Sequence, residues 1–271
     1  MTNTPITRPA PIPRRFGSLN LLGLWTLYLK EVKRFWKVMF QTVFAPVVTT
    51  LLFFAVINLA FGERRGDIAG VPFSDFLAPG LILMGLLQNA FANSSSSILV
   101  AKVQGNSVDF LMPPLSALEL MIAFIAGSIT RGVVVAASTG IVMAFFVDLT
   151  PAHIWAIVFF AITGASLLGM VGLIGGVWAE KFDHIAVITN FIITPLTFLS
   201  GTFYSITVLP EPFYTLSHFN PFFYMIDGFR YGFTGHADGN ILIGVVFILA
   251  LNAILMTISY LVLRSGWRLK S

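Results

Sequence analysis

Apolar residues gather along this chain into runs long enough to cross a bilayer, separated by short polar or proline-containing breaks. A helical span needs about 20 apolar residues to cover roughly 30 Å of hydrocarbon. On that length the runs predict spans over residues 39–61, 75–99, 117–147, 153–178, 185–203 and 240–263. Residues 18–38, ahead of the first run, have another pattern. Leu24, Leu27, Tyr28, Glu31, Phe35 and Val38 fall near one helical face, with Lys30, Lys33, Arg34 and Lys37 mostly off it. That spacing predicts an amphipathic helix lying in the membrane interface; a cationic extension of the first span is the alternative. Alternating segments of about ten residues, the mark of a membrane β-barrel, are absent from the sequence. The expected fold class is an all-α integral membrane protein with six transmembrane helices and an N-terminal interfacial helix.

Residues 202–233, TFYSITVLPEPFYTLSHFNPFFYMIDGFRYGF, are as apolar as a span but broken by Pro210, Pro212 and Pro221. The prolines predict two short helices. The first starts at Pro210–Pro212, with Leu209, Phe213, Leu216 and Phe219 on one face. The second starts at Asn220–Pro221, an N-cap followed by proline at the first helical position. In it Phe223, Asp227 and Arg230 share a face, and the i, i+3 spacing lets Asp227 pair with Arg230. Each piece is about half a span, so residues 205–233 are expected to enter one leaflet and return as a re-entrant hairpin. Between the second and third spans, Gly105, Asn106 and Ser107 break one helix and Pro113–Pro114 delay the next. Val108, Asp109, Phe110, Leu111 and Met112 then form a short amphipathic element, open to docking against a partner or to dipping among headgroups.

Composition agrees with this class: the chain is 56% hydrophobic and 10% charged, far from the charge content of soluble domains. The spans leave no room for a separate soluble domain. Residues 1–17, basic and proline-rich, read as a disordered arm and not as a secretory signal. Charge sets the orientation. With the N-terminus cytoplasmic, the inside holds Arg8, Arg14, Arg15, Lys30, Lys33, Arg34, Lys37, Lys102, Lys181, Arg264, Arg268 and Lys270, and the outside holds Arg64, Arg65 and Arg230. Both termini, including the tail 264–271, are therefore expected in the cytoplasm and residues 205–233 outside. The cations flank spans and form no patch of their own, which speaks against nucleic acid as a partner.

Candidate chemistry is sparse. Arg131 lies within the third span, where an unpaired cation costs at least about 2.5 kcal/mol. It can line a path or bond structurally to a neighbouring helix. Asn89, Asn93 and Ser97 repeat every four residues on the second span, a stripe read here as helix packing. Ala161, Ala165, Gly169, Gly172 and Gly176 give the fourth span a small, close-packing face. No GxxxxGK[ST] loop occurs, so nucleotide hydrolysis is not expected of this chain. The four histidines have no ligand-like spacing and cysteine is absent. A membrane enzyme would need a nucleophile or paired carboxylates near one interface, and none stands out. An ATP-independent secondary transporter or channel would place more ionisable groups at mid-membrane.

The strings LSGTFYSITVLP (199–210) and FNPFFYMIDGFR (219–230) resemble the characteristic stretch of ABC-2 type transporter permeases. The matching positions are Ser200, Gly201, Leu209, Pro210, Asn220, Pro221, Asp227 and Arg230. AEKFDHIAVITNFIITPLTFLSG (179–201) is similar to the bacterial inner-membrane branch that includes nodulation-factor, polysaccharide and drug exporter permeases. The resemblance implies a half-transporter of six spans, two chains forming the path as a homodimer, and two separate ATPase subunits on the cytosolic side. It implies no cofactor in this chain, since ATP and magnesium are bound by the partner. It also implies contact with the ATPase around Lys30, Glu31 and Arg34, and around Gly105, Asn106, Asp109, Phe110, Leu111, Pro113 and Pro114. The expected function is export of an amphipathic or lipid-linked substrate across the inner membrane.

Overall fold

The computed structural model describes residues 19–68 and 70–269, without the side chains of residues 63–65. The expected arm 1–17, with Arg8, Arg14 and Arg15, lies outside the described residues, as do Lys270 and the side chains of Arg64 and Arg65. All regular elements are helical: α1 (Leu21–Trp36), a π-turn (Phe40–Phe44) running into α2 (Ala45–Arg65), α3 (Phe73–Val103), α4 (Val108–Leu111), α5 (Ala117–Met143) and α6 (Ile154–Trp178). Next come α7 (Phe182–Ile188), a second π-turn (Thr189–Ile193), α8 (Thr194–Phe198), a 3₁₀ turn (Ile206–Val208), α9 (Phe213–Ser217), α10 (Pro221–Thr234) and α11 (Ile241–Ser265).

Among the described residues five helical segments are long and apolar enough to cross a membrane, and Phe182–Phe198 is a shorter apolar one. The long segments fall where the apolar runs predict the first four spans and the sixth. The fifth run, expected over 185–203, ends early. Gly201 takes a left-handed φ of +75°, and the Thr197 carbonyl is taken by the hydroxyls of Ser200 and Thr202 in place of a continuing helix. Both π-turns stop two residues before a proline, Pro46 and Pro195. Proline donates no N–H and its ring crowds the carbonyl four residues back, which the wider turn accommodates.

α3 is the buried axis. Its 31 residues give about 46 Å of helix, more than a bilayer's hydrocarbon thickness. It packs between α6 and α5, and α10 covers its N-terminal third. The small face of α6 sets the closest approach. Gly172 lies against the Phe91 carbonyl, and a Cβ at Gly176 would stand 2.9 Å from the Ser95 carbonyl. The Ser94 hydroxyl donates to the Gly169 carbonyl at 2.6 Å. By contrast α2 and α11 present apolar outer faces, among them Leu52, Val56, Leu59, Leu242 and Val246.

Within residues 205–233 the first expected helix is reduced to the single turn α9. Two prolines within three residues remove its early N–H donors, and Asn220 already caps the next helix. Of the residues expected to share a face there, Phe213, Leu216 and Phe219 are exposed. The second helix, α10, forms as the Asn–Pro signal predicts, ends on Gly235 at φ +69°, and is buried along most of its length.

Candidate functional site

Two surfaces expected to meet a partner are brought together at one end of the molecule. α1 runs beside the first half of α5. Its start is tied there by Asn20, whose backbone N–H donates to Glu119 and whose side chain donates to the Pro114 carbonyl at 3.2 Å. Ser116 and Glu119 form a reciprocal capping box at the head of α5. The short helix α4 lies against α1, where Lys30 Nζ comes within 3.9 Å of Asp109 Oδ2.

The expected contact residues divide by burial. Lys30, Gly105, Asn106, Asp109, Leu111, Pro113 and Pro114 are exposed, as are Val108 and Met112. Phe110 is buried against Leu27, Ile98 and Phe124, its ring edge-on to Phe124 with centroids 5.7 Å apart. Glu31 is 1% exposed. The apolar face of α1 was expected to rest in lipid; it rests on protein, with Leu27, Glu31 and Phe35 turned inward.

Glu31 opens a polar chain that crosses three helices. Its carboxylate accepts from the Ser97 hydroxyl at 2.7 Å and pairs with Arg34 at 3.2 Å. The Arg34 guanidinium donates to the Asn93 carbonyl at 2.7 Å, to Asn93 Oδ1 at 3.1 Å and to Ser96 at 3.1 Å. One turn along α3, Asn89 Oδ1 accepts from Arg131 Nη2 at 3.0 Å. Gly127, one turn before Arg131 on α5, admits Glu31: a Cβ there would sit 2.7 Å from Glu31 Cβ. The stripe Asn89–Asn93–Ser97 is thus a packing seam, as its spacing suggests, and it also holds charge. Arg131 does bond to a neighbouring helix, and its partner there is a side-chain amide and not a backbone carbonyl. The sequence gives one signal for this chain, Glu31 on an otherwise apolar helical face. Nothing in the sequence indicates that Lys102 would hold the α6 terminus, where Nζ donates to the carbonyls of Val177 and Ala179 at 2.6 and 2.7 Å.

A cavity of about 340 Å³ opens where α3 meets the segment Phe182–Phe198. Gln88, Asn89, Ser95 and Ser96 line it from α3, and Thr189 and Thr194 from the second π-turn and the start of α8. Asn89 therefore faces both this cavity and Arg131.

At the other end, the eight motif residues lie in one hydrogen-bonded and packed region. Arg230 is fully buried: Nε donates to the Phe76 carbonyl at 3.0 Å, Nη2 to the Gly201 carbonyl at 2.7 Å, and the guanidinium stacks 3.7 Å over the Phe76 ring. Asp227 accepts the backbone N–H groups of Asp238 and Gly239, both at 2.9 Å. The pairing expected from the i, i+3 spacing does not form, because each side chain finds backbone partners outside α10. Asn220 caps α10 and donates to the Leu196 carbonyl at 2.6 Å, with Pro221 at the first helical position. Ser200 closes the turn before Gly201. Leu209 packs on the core, and the Pro210 carbonyl receives the first N–H of α9 at 2.9 Å.

Comparison with known proteins agrees with this arrangement. The family model described as ABC-2 type transporter matches residues 23–234. The inner membrane transport permease YadH of Escherichia coli strain K12 is 40% identical over 223 residues, covering 81% of this chain and 86% of the relative. Nodulation protein J of Rhizobium leguminosarum bv. trifolii is 23% identical over 222 residues, covering 81% and 83%. With the family match spanning from α1 through α10, this chain belongs to the ABC-2 type transporter family, of which it is a permease subunit.

Proposed function

We propose that this permease exports an amphipathic or lipid-linked molecule across the inner membrane, working as two copies with two ATPase subunits that bind ATP and magnesium. The family implies a partnering ATPase subunit; the paired stoichiometry, the direction and the six-span topology with both termini in the cytoplasm are the reading advanced here. In it Phe182–Phe198, with its π-turn, is the fifth span. Lys102, Arg264 and Arg268 lie at the end that carries α1 and α4, since Lys102 and Arg268 bond to carbonyls at the C-terminus of α6. Cations at that end support a cytoplasmic placement.

One observation carries the proposal: α1 and α4 form a single corner, from which the Glu31–Arg34–Asn93 and Asn89–Arg131 bonds lead along α3 toward the polar cavity at Gln88 and Thr189. The ATPase would engage the exposed part of that corner, Lys30, Asp109, Leu111 and Met112. Displacement of α1 would then reach α3 and α5 through bonded side chains, and the cavity offers amides and hydroxyls to a passing polar group. Co-reconstitution with the ATPase subunit tests this. ATP-dependent transport is expected, and transport by the permease alone under an ion gradient would overturn it.

A further inference from the structure

The outward side of α1 carries two adjacent edges of opposite character. Helical spacing places Leu22, Trp25, Leu29 and Trp36 along one edge and Thr26, Lys30, Lys33 and Lys37 along the next. Leu22, Trp25 and Trp36 are each more than half exposed. Between the edges lies a hollow of about 630 Å³ lined by Leu29, Lys30, Lys33, Arg34, Lys37 and Val38. No carboxylate faces it. Glu31 is turned into the protein, and Asp109 reaches only the Lys30 end, at 3.9 Å. Among the described residues Lys33 and Lys37 have no acidic side chain within 4 Å. Arg34 lines the hollow with its stem, while its guanidinium is turned inward to Ser96 and Asn93.

We infer that this hollow is a binding site for an anionic phospholipid of the inner leaflet, the lysines holding its phosphate and the Leu–Trp edge its hydrocarbon. Charge complementarity sets the sign of the ligand, because the hollow offers several cations and no carboxylate. The apolar edge sets its class: a soluble anion has no use for exposed indoles and leucines, whereas a lipid has one part for each edge. Position agrees, since Lys37 and Val38 immediately precede the π-turn that enters the first span, about 10 Å along the helix from the α4 corner. The choice of the inner leaflet rests on the cytoplasmic placement of α1 proposed above; the assignment does not depend on the direction of transport or on the substrate.

The test is native mass spectrometry of the full-length permease taken from vesicles of equal phosphatidylglycerol and phosphatidylcholine. Bound lipid enriched in phosphatidylglycerol is expected. The double variant Lys33→Gln/Lys37→Gln should lower that enrichment about thirty-fold, the factor that roughly 1 kcal/mol per basic side chain gives for two lysines. These lysines are exposed, and an unchanged elution volume on size exclusion confirms that the variant is folded. The variant Arg264→Gln, a cation on α11, should keep the enrichment. Bound lipid in the same ratio as the vesicles, or enrichment that survives the double variant, would overturn the assignment. Displacement of the lipid by 10 mM inorganic phosphate, on the order of a hundred times a tenth-millimolar affinity, would mark a soluble-anion site and overturn it too. Loss of ATPase co-purification with lipid enrichment intact would give the hollow to the partner protein.

Discussion

Phe110 and Met112 lie two residues apart on the turn between α3 and α5, and the structure predicts opposite consequences for them. Phe110 is 3% exposed, with its ring edge-on to Phe124 in a cluster with Leu27 and Ile98. Truncation to alanine removes a buried aromatic side chain and leaves a cavity, a change that costs about 3–5 kcal/mol in well-packed cores. The cluster lies at the edge of the molecule and can partly collapse, so about 3 kcal/mol is the expected loss. For a chain of this size that lowers the melting temperature by about 6–12 °C. Met112 is 78% exposed, so Met112→Ser should leave the melting temperature within about 2 °C. It should instead weaken ATPase binding roughly tenfold, the effect of about 1.4 kcal/mol lost from an apolar contact. Thermal unfolding of the purified permease and quantitative co-purification of the ATPase subunit measure the two effects. A Phe110→Ala variant of unchanged stability that loses the ATPase would refute the buried assignment. A Met112→Ser variant that keeps the ATPase fully would remove α4 from the contact surface.

Further outcomes follow from the polar chain, the Arg230 module and the small face of α6. A double-mutant cycle on Asn89→Ala and Arg131→Met should give a coupling of about 0.6 kcal/mol and at most about 1.7, the range for hydrogen bonds between membrane helices; zero coupling in thermal unfolding would deny that the 3.0 Å bond contributes. Transport should fall further in Arg131→Met than expression does, read as substrate moved per folded protein in vesicles. Arg230→Lys keeps the charge but cannot reproduce the planar fork to the Phe76 and Gly201 carbonyls or the stacking on Phe76. It should cost about 3 kcal/mol, and limited proteolysis of the 199–220 segment should accelerate by about two orders of magnitude. Gly172→Ala puts a methyl group into the Phe91 carbonyl and should destabilise by about 1–3 kcal/mol, seen as a lower melting temperature with α3 and α6 forced apart.

Much of the fold was legible because hydrophobic length and charge act locally. The long apolar runs became helices within a few residues of their predicted ends, and Asn220–Pro221 began a helix where capping chemistry says it should. The face of α1 was also legible, Glu31 included. What covers that face was not, since an amphipathic period reads the same whether the apolar side meets lipid or protein. Phe110 shows the same limit: four residues of turn cannot reveal whether a ring points to cytosol or toward Phe124. The early end of the Phe182–Phe198 segment hangs on hydroxyls returning to the Thr197 carbonyl, which competes with a hydrophobic signal that runs on to residue 203.

The sequence by itself determined the membrane class, the sites of the long helices, the short lengths of the pieces in 205–233 and the family, because each depends on residues close in the chain or on a spaced motif. Tertiary structure alone decided what the charged residues do. Asp227 and Arg230 sit one turn apart and are free to pair, yet each serves carbonyls or N–H groups contributed by other segments. Arg131 found Asn89 across 42 positions and Arg34 found Asn93 across 59. A buried charge is stabilised by whichever partner the packing brings within hydrogen-bond reach, and for Arg34, Arg131, Asp227 and Arg230 such partners come from segments outside their own helix.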